Sequence, residues 1–122
     1  MAPAVARRVG SEERVVQFVC VGRVGDLGPG EMKAVRAGRH FVGIANVEGG
    51  WYAFDDTCTH EEASLTEGEL YDFIVECPLH GATFDVRTGS VESFPATIPL
   101  PTYDIRIVDG EIHVATEPRE RL

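Results

Sequence analysis

No stretch of the chain approaches the roughly eighteen consecutive apolar residues that a membrane-spanning helix needs. The opening MAPAVARRVG holds two arginines but no apolar core of the kind a secretory signal carries. A soluble, cytoplasmic protein is the expectation. Positive charge is also scarce: 11 Lys and Arg against 20 Asp and Glu leave a formal charge of −9. That balance repels nucleic-acid phosphates, so no nucleic-acid partner is expected. The acidic excess serves solubility, or a face that steers the protein towards basic partners, and composition does not choose between them. With only 3 cysteines, and in this compartment, a disulfide framework is not expected. GRVGDLGPG, at 22–30, is no dinucleotide fingerprint, because its glycine spacing is wrong and no helix follows. No repeat or low-complexity tract occurs.

Helical periodicity is missing as well. Its one candidate is ASLTEGEL, which Gly68 interrupts. Strand signals fill the chain instead. RVVQFVCVGRV is a β-branched run ended by the turn-rich GDLGPGE. RHFVGIANV and WYAFDD flank Glu48-Gly49-Gly50, and YDIRIV and EIHVAT flank Asp109-Gly110, both hairpin connections. Tyr71–Glu76 and Ala82–Val86 read as short strands, with Thr88-Gly89 turning the second back through SVESF. Many short strands with regular turns indicate one all-β domain. Its limits are placed at 14–115, between a flexible arm over 1–13 and a tail over 116–122.

What the chain does contain is a paired pair of soft ligands. Cys58-Thr59-His60 is followed, after residues 61–76, by Cys77-Pro78-Leu79-His80. Thiolates and imidazoles bind zinc, copper and iron–sulfur clusters. Structural zinc sites usually group their ligands by type, Cys-x-x-Cys and then His-x-x-x-His. Here each loop carries one of each. A Cys₂His₂ zinc site remains chemically possible. A two-iron cluster is the other solution, with one ligand from each loop on each iron.

The motifs at 58–60 and 77–80 resemble the Rieske [2Fe–2S] signature, Cys-x-His then Cys-x-x-His. Gly81 and the proline-bearing SFPATIPLP at 93–101 fit the same family, where a proline-rich loop covers the cluster. The resemblance spans about residues 15–115. It implies a Rieske fold of antiparallel sheets, with a base domain and a cluster-binding subdomain at about 57–96. It also implies one [2Fe–2S] cluster, with Cys58 and Cys77 on one iron and His60 and His80 on the other.

Within that resemblance, high-potential members carry two further cysteines that bridge the loops. The matching positions here are Ala63 and Leu79. Such members also place serine and tyrosine hydroxyls near cluster sulfur, where this chain has Ala82 and Phe84. A low potential is therefore expected, and Glu61 and Glu62 would lower it further if they approach. A single-domain, low-potential member looks like the ferredoxin of a multicomponent aromatic-ring dioxygenase. The resemblance then implies a monomeric electron carrier, not an enzyme, that meets a ferredoxin reductase and a terminal oxygenase transiently. The small subunit of nitrite reductase is the alternative within the family. Cys20 is expected to be a buried filler, and His40 and His113 ordinary strand residues with no neighbouring cluster of acids.

Overall fold

The computed structural model describes residues 5–9, 14–59 and 62–120. Twelve strands occur in this part of the chain: β1 (Val5–Val9), β2 (Arg14–Arg23), β3 (Met32–Ala37), β4 (His40–Val47), β5 (Gly50–Asp55) and β6 (Glu69–Tyr71), followed by β7 (Ile74–Glu76), β8 (Thr83–Asp85), β9 (Val91–Ser93), β10 (Thr102–Tyr103), β11 (Ile105–Val108) and β12 (Glu111–Ala115). They form three four-stranded sheets, ordered β1-β2-β12-β11, β10-β5-β4-β3 and β6-β7-β8-β9. The all-β expectation holds.

Two hairpins follow directly from turn chemistry. Glu48 and Gly49 have φ of 52° and 87°, and Asp109 and Gly110 have 50° and 77°. Two successive positive φ angles give the turn whose twist matches the flanking strands, and Gly is favoured at its second position.

The middle sheet is covered on both faces. Val42, Ile44 and Ala53 join Ile112 and Val114 of the first sheet in one apolar cluster. The alternate residues Ala45, Val47 and Phe54 join Leu65, Val75, Phe84, Cys58 and Cys77 in another. Successive side chains of a strand point to opposite faces. An almost continuously buried β4, from Val42 to Val47, is the result. Each fully buried Val, Leu or Phe in these clusters contributes about 1.5–3 kcal/mol. The base thus forms one slab, and the third sheet, with its connecting loops, is built on the slab's other face.

Several expectations are corrected. Part of the arm expected over 1–13 is strand: β1 runs antiparallel to β2, Val5 opposite Phe18 and Val9 opposite Arg14. The 116–120 part of the expected tail is tied to the slab. The Thr116 amide donates to Gln17 O, and the Arg119 amide to Thr102 O. Tyr71–Glu76 is not one strand but the hairpin β6–β7, turning at Asp72, whose φ is 52°. β3 was not anticipated at all. ASLTEGEL yields only a single 3-10 turn at Leu65–Glu67.

Candidate metal centre

Both ligand loops hang from strand ends that the core fixes. The first leaves β5 at Asp55 and passes through Cys58. The Cys58 amide donates to Ala63 O at 3.0 Å. The second joins β7 to β8, and there the Cys77 amide donates to Ala82 O at 2.8 Å. Each loop is therefore closed in the same way, from a cysteine amide to the carbonyl of an alanine five positions on. In the second loop His80 and Gly81 take left-handed φ of 65° and 74°. A histidine pays a steric penalty in that region, which persists only where the surroundings impose it.

Asp56 braces the first loop. Its carboxylate accepts from the Ser64 hydroxyl at 2.7 Å, the Thr66 amide at 3.0 Å and the Thr66 hydroxyl at 2.8 Å. Gly68 then lets this loop lie against the second. A Cβ there would sit 1.9 Å from Glu76 O and 3.1 Å from Pro78 Cδ. The third brace is the proline-rich segment. The Thr59 hydroxyl donates to Ile98 O at 2.7 Å, and Ala96 is buried in the same apolar cluster as Cys58 and Cys77. The segment thus packs over the loops, as the resemblance implied. The first two braces were not predicted. Asp56 and Thr59 carry no signal beyond standing next to a ligand motif.

The donors differ in exposure. Cys58 and Cys77 are 4% and 2% exposed, and neither is in a disulfide. His80 is exposed. His60 and Glu61 lie outside the described residues. Ala82 and Phe84 are fully buried in the apolar cluster that holds both thiols, and neither side chain carries a hydroxyl. Glu62 is exposed. The acidic group beside the second loop is another one: Glu67, Glu69 and Glu76 line the hollow that also contains Cys77, Pro78 and Gly81. Tyr71 donates to Glu76 at 2.8 Å, and this bond raises the phenol's pKa. Leu79, Phe94 and Ile98, at 47%, 82% and 60% exposure, make an apolar rim on the ligand and covering loops.

Two unlinked buried thiols and an exposed imidazole on matched loops suit a soft-metal group, with sulfur inside and nitrogen at the surface. The other two histidines stand elsewhere. His40 lies on β4, tilted against Tyr103, its Nε2 3.8 Å from Glu117. Burial pushes the Tyr103 phenol well above its usual range. His113 lies on β12 with a single acid beside it, Glu111, whose Oε1 is 3.2 Å from its Nε2. Cys20 is corrected: its side chain reaches the surface. Among the described residues no helix is long and apolar enough to cross a membrane.

Comparison with known proteins agrees with this geometry. Ferredoxin CarAc of Metapseudomonas resinovorans is 41% identical over 95 residues, covering 77% of this chain and 89% of that protein. The ferredoxin component of biphenyl 2,3-dioxygenase from Rhodococcus jostii (strain RHA1) is 42% identical over 93 residues, 76% of this chain and 87% of that one. A solved complex of reduced oxygenase and oxidised ferredoxin in carbazole 1,9a-dioxygenase matches with a TM-score of 0.82 at 38% identity, covering 85% of this chain and 97% of the other. A nitrite reductase small subunit from Mycobacterium tuberculosis shares only the fold, at 20% identity and a TM-score of 0.77. Residues 17–104 match the Rieske [2Fe-2S] domain, so the matched loops and their soft ligands have a family: this chain belongs to the Rieske [2Fe–2S] proteins.

Proposed function

We propose that the chain is a single-electron carrier of an aromatic-ring dioxygenase system. It takes electrons from an NAD(P)H-dependent ferredoxin reductase and delivers them to a terminal oxygenase, as a monomer in the cytoplasm. It has no catalytic site of its own. The observation that carries this reading is the pair of matched Cys/His loops, buried at sulfur and ringed by exposed apolar side chains, in a chain about 40% identical to dioxygenase ferredoxins.

Cys58 and Cys77 hold one iron through their buried thiolates, and His60 and His80 hold the other. When bound, the [2Fe–2S] cluster supplies a one-electron couple. Neutral imidazoles in place of two thiolates leave the unit less negative, which favours the added electron relative to an all-cysteine site. Ala82 and Phe84 work the other way, because they give the sulfurs no hydroxyl donor. Glu76 and its acidic neighbours also disfavour added negative charge. The potential then falls near the lower end of the roughly −150 to +300 mV spanned by Rieske centres.

The exposed face of His80 gives the electron its exit, and Leu79, Phe94 and Ile98 give an approaching protein something to rest on. Three exposed apolar side chains suit a brief contact, whereas a permanent subunit of a nitrite reductase needs a larger apolar interface. Purified protein combined with a reductase and a panel of terminal oxygenases tests the assignment. Hydroxylated aromatic product that depends on this chain supports it. Support of nitrite reduction, with no dioxygenase served, overturns it.

A further inference from the structure

A second set of metal-ligating side chains lies on the base slab, apart from the cluster loops. In β12, Ile112 and Val114 face the core shared with the middle sheet, so Glu111 and His113 point to the other face of the first sheet. Cys20 of β2 is the register partner of His113 and shares that face. The pairing slips at this point: Ile112 lies opposite Gly22 and His113 opposite Cys20, leaving Val21 as an extra residue. Such a bulge re-aims the side chains beside it. One ligand atom from each of Cys20, Glu111 and His113 falls within 4.8 Å of the other two.

The three side chains differ in burial and in the partners they already have. His113 is 1% exposed, and its Nδ1 is buried with no hydrogen-bond partner. Glu111 directs Oε1 at the ring, 3.2 Å from Nε2, and its Oε2 lies 3.9 Å from the exposed Arg23 guanidinium. Arg106, the partner of His113 on β11, is stacked 4.6 Å above the Phe18 ring. The thiol of Cys20 reaches the surface, so an ion has a way in.

We propose that Cys20, Glu111 and His113 form a zinc site, with water as the fourth ligand. Zn–S of about 2.3 Å and Zn–N and Zn–O of about 2.0–2.2 Å put tetrahedral ligands about 3.3–3.6 Å apart. The observed 3.2 Å between Glu111 Oε1 and His113 Nε2 is close to that spacing, so Nε2 is the nitrogen that would bind the ion. To join them the Cys20 thiol must give up its 3.7 Å contact with Gly22 O. Thiol, carboxylate and imidazole together select a borderline-soft divalent ion over calcium or magnesium. On binding, Zn²⁺ displaces the Cys20 thiol proton to solvent, and thiolate and carboxylate then balance the ion's charge.

Cluster-loaded protein is equilibrated with buffered Zn²⁺, desalted, and assayed for zinc, iron and sulfide. The expected result is one added zinc per chain at micromolar free zinc, with iron and sulfide unchanged. Cys20→Ser and Glu111→Gln should each weaken uptake at least about tenfold and leave the visible spectrum as it was. Both side chains are accessible, so these variants keep the test open if His113→Gln fails to fold. Three outcomes overturn the proposal: no uptake at about 100 µM free zinc, uptake equal in both variants and the parent, or uptake matched by loss of iron.

Discussion

Ala82 and Phe84 show how single side chains set the site's character. Both are fully buried in the apolar cluster that holds the Cys58 and Cys77 thiols, and neither offers a donor. A hydroxyl placed there would stabilise the extra electron if it points at sulfur. One such hydrogen bond, at about 1 kcal/mol, corresponds to about 40 mV in a one-electron couple. Ala82→Ser should therefore raise the midpoint by tens of millivolts, and Phe84→Tyr should shift it the same way; protein-film voltammetry reads both. A fall in both variants with the cluster intact would contradict the hydrogen-bond account. At this scale the Cys-x-His and Cys-x-x-His motifs were legible, because they occur as contiguous text. The exposure of Cys20 was not. Alternation along VQFVCVGRV separates two faces of a strand but does not say which of them is covered, and the pairing of Cys20 with His113 joins residues far apart in the chain.

At the scale of elements, hairpins were legible where glycine marks them, at Glu48-Gly49 and Asp109-Gly110. The β6–β7 turn was hidden because Asp72 takes the positive φ and no Gly or Pro stands beside it. β3 was missed because the lysine and arginine in MKAVRA blur its alternation. The contact between the two ligand loops was also invisible, since it rests on the absent side chain of Gly68. A methyl group there would be 1.9 Å from a backbone carbonyl, and backbone cannot swing aside as a flexible side chain does. Gly68→Ala should cost roughly 2–3 kcal/mol, at the upper part of the range for overpacking. It should also hasten loss of cluster absorbance in mild denaturant. Unchanged stability and cluster retention would show that the loops are not registered through this contact.

For the molecule as a whole, an apolar rim stands on a body of formal charge −9. The rim decides whether a docked partner stays long enough for transfer, and the charge acts on the rate of encounter. The contact should be small, below about 1,200 Å² in total. Leu79→Glu should slow electron delivery to the oxygenase, about tenfold if its contact contributes near 1.4 kcal/mol, with little change in midpoint. Added salt should slow association if attraction between opposite charges steers it, since the Debye length shrinks to about 8 Å at physiological ionic strength. Stopped-flow transfer that is equal for Leu79→Glu and the parent would leave that residue only a shielding role. All of this depends on what Cys58, His60, Cys77 and His80 hold, and iron and sulfide analysis joined to EPR of the reduced protein answers that most directly. The account predicts red-brown protein with two irons and two sulfides per chain, a reduced-state signal of low average g, and loss of that signal when any of the four residues becomes alanine. Colourless protein from iron-replete cells, carrying stoichiometric zinc at these four residues and no sulfide, would contradict it.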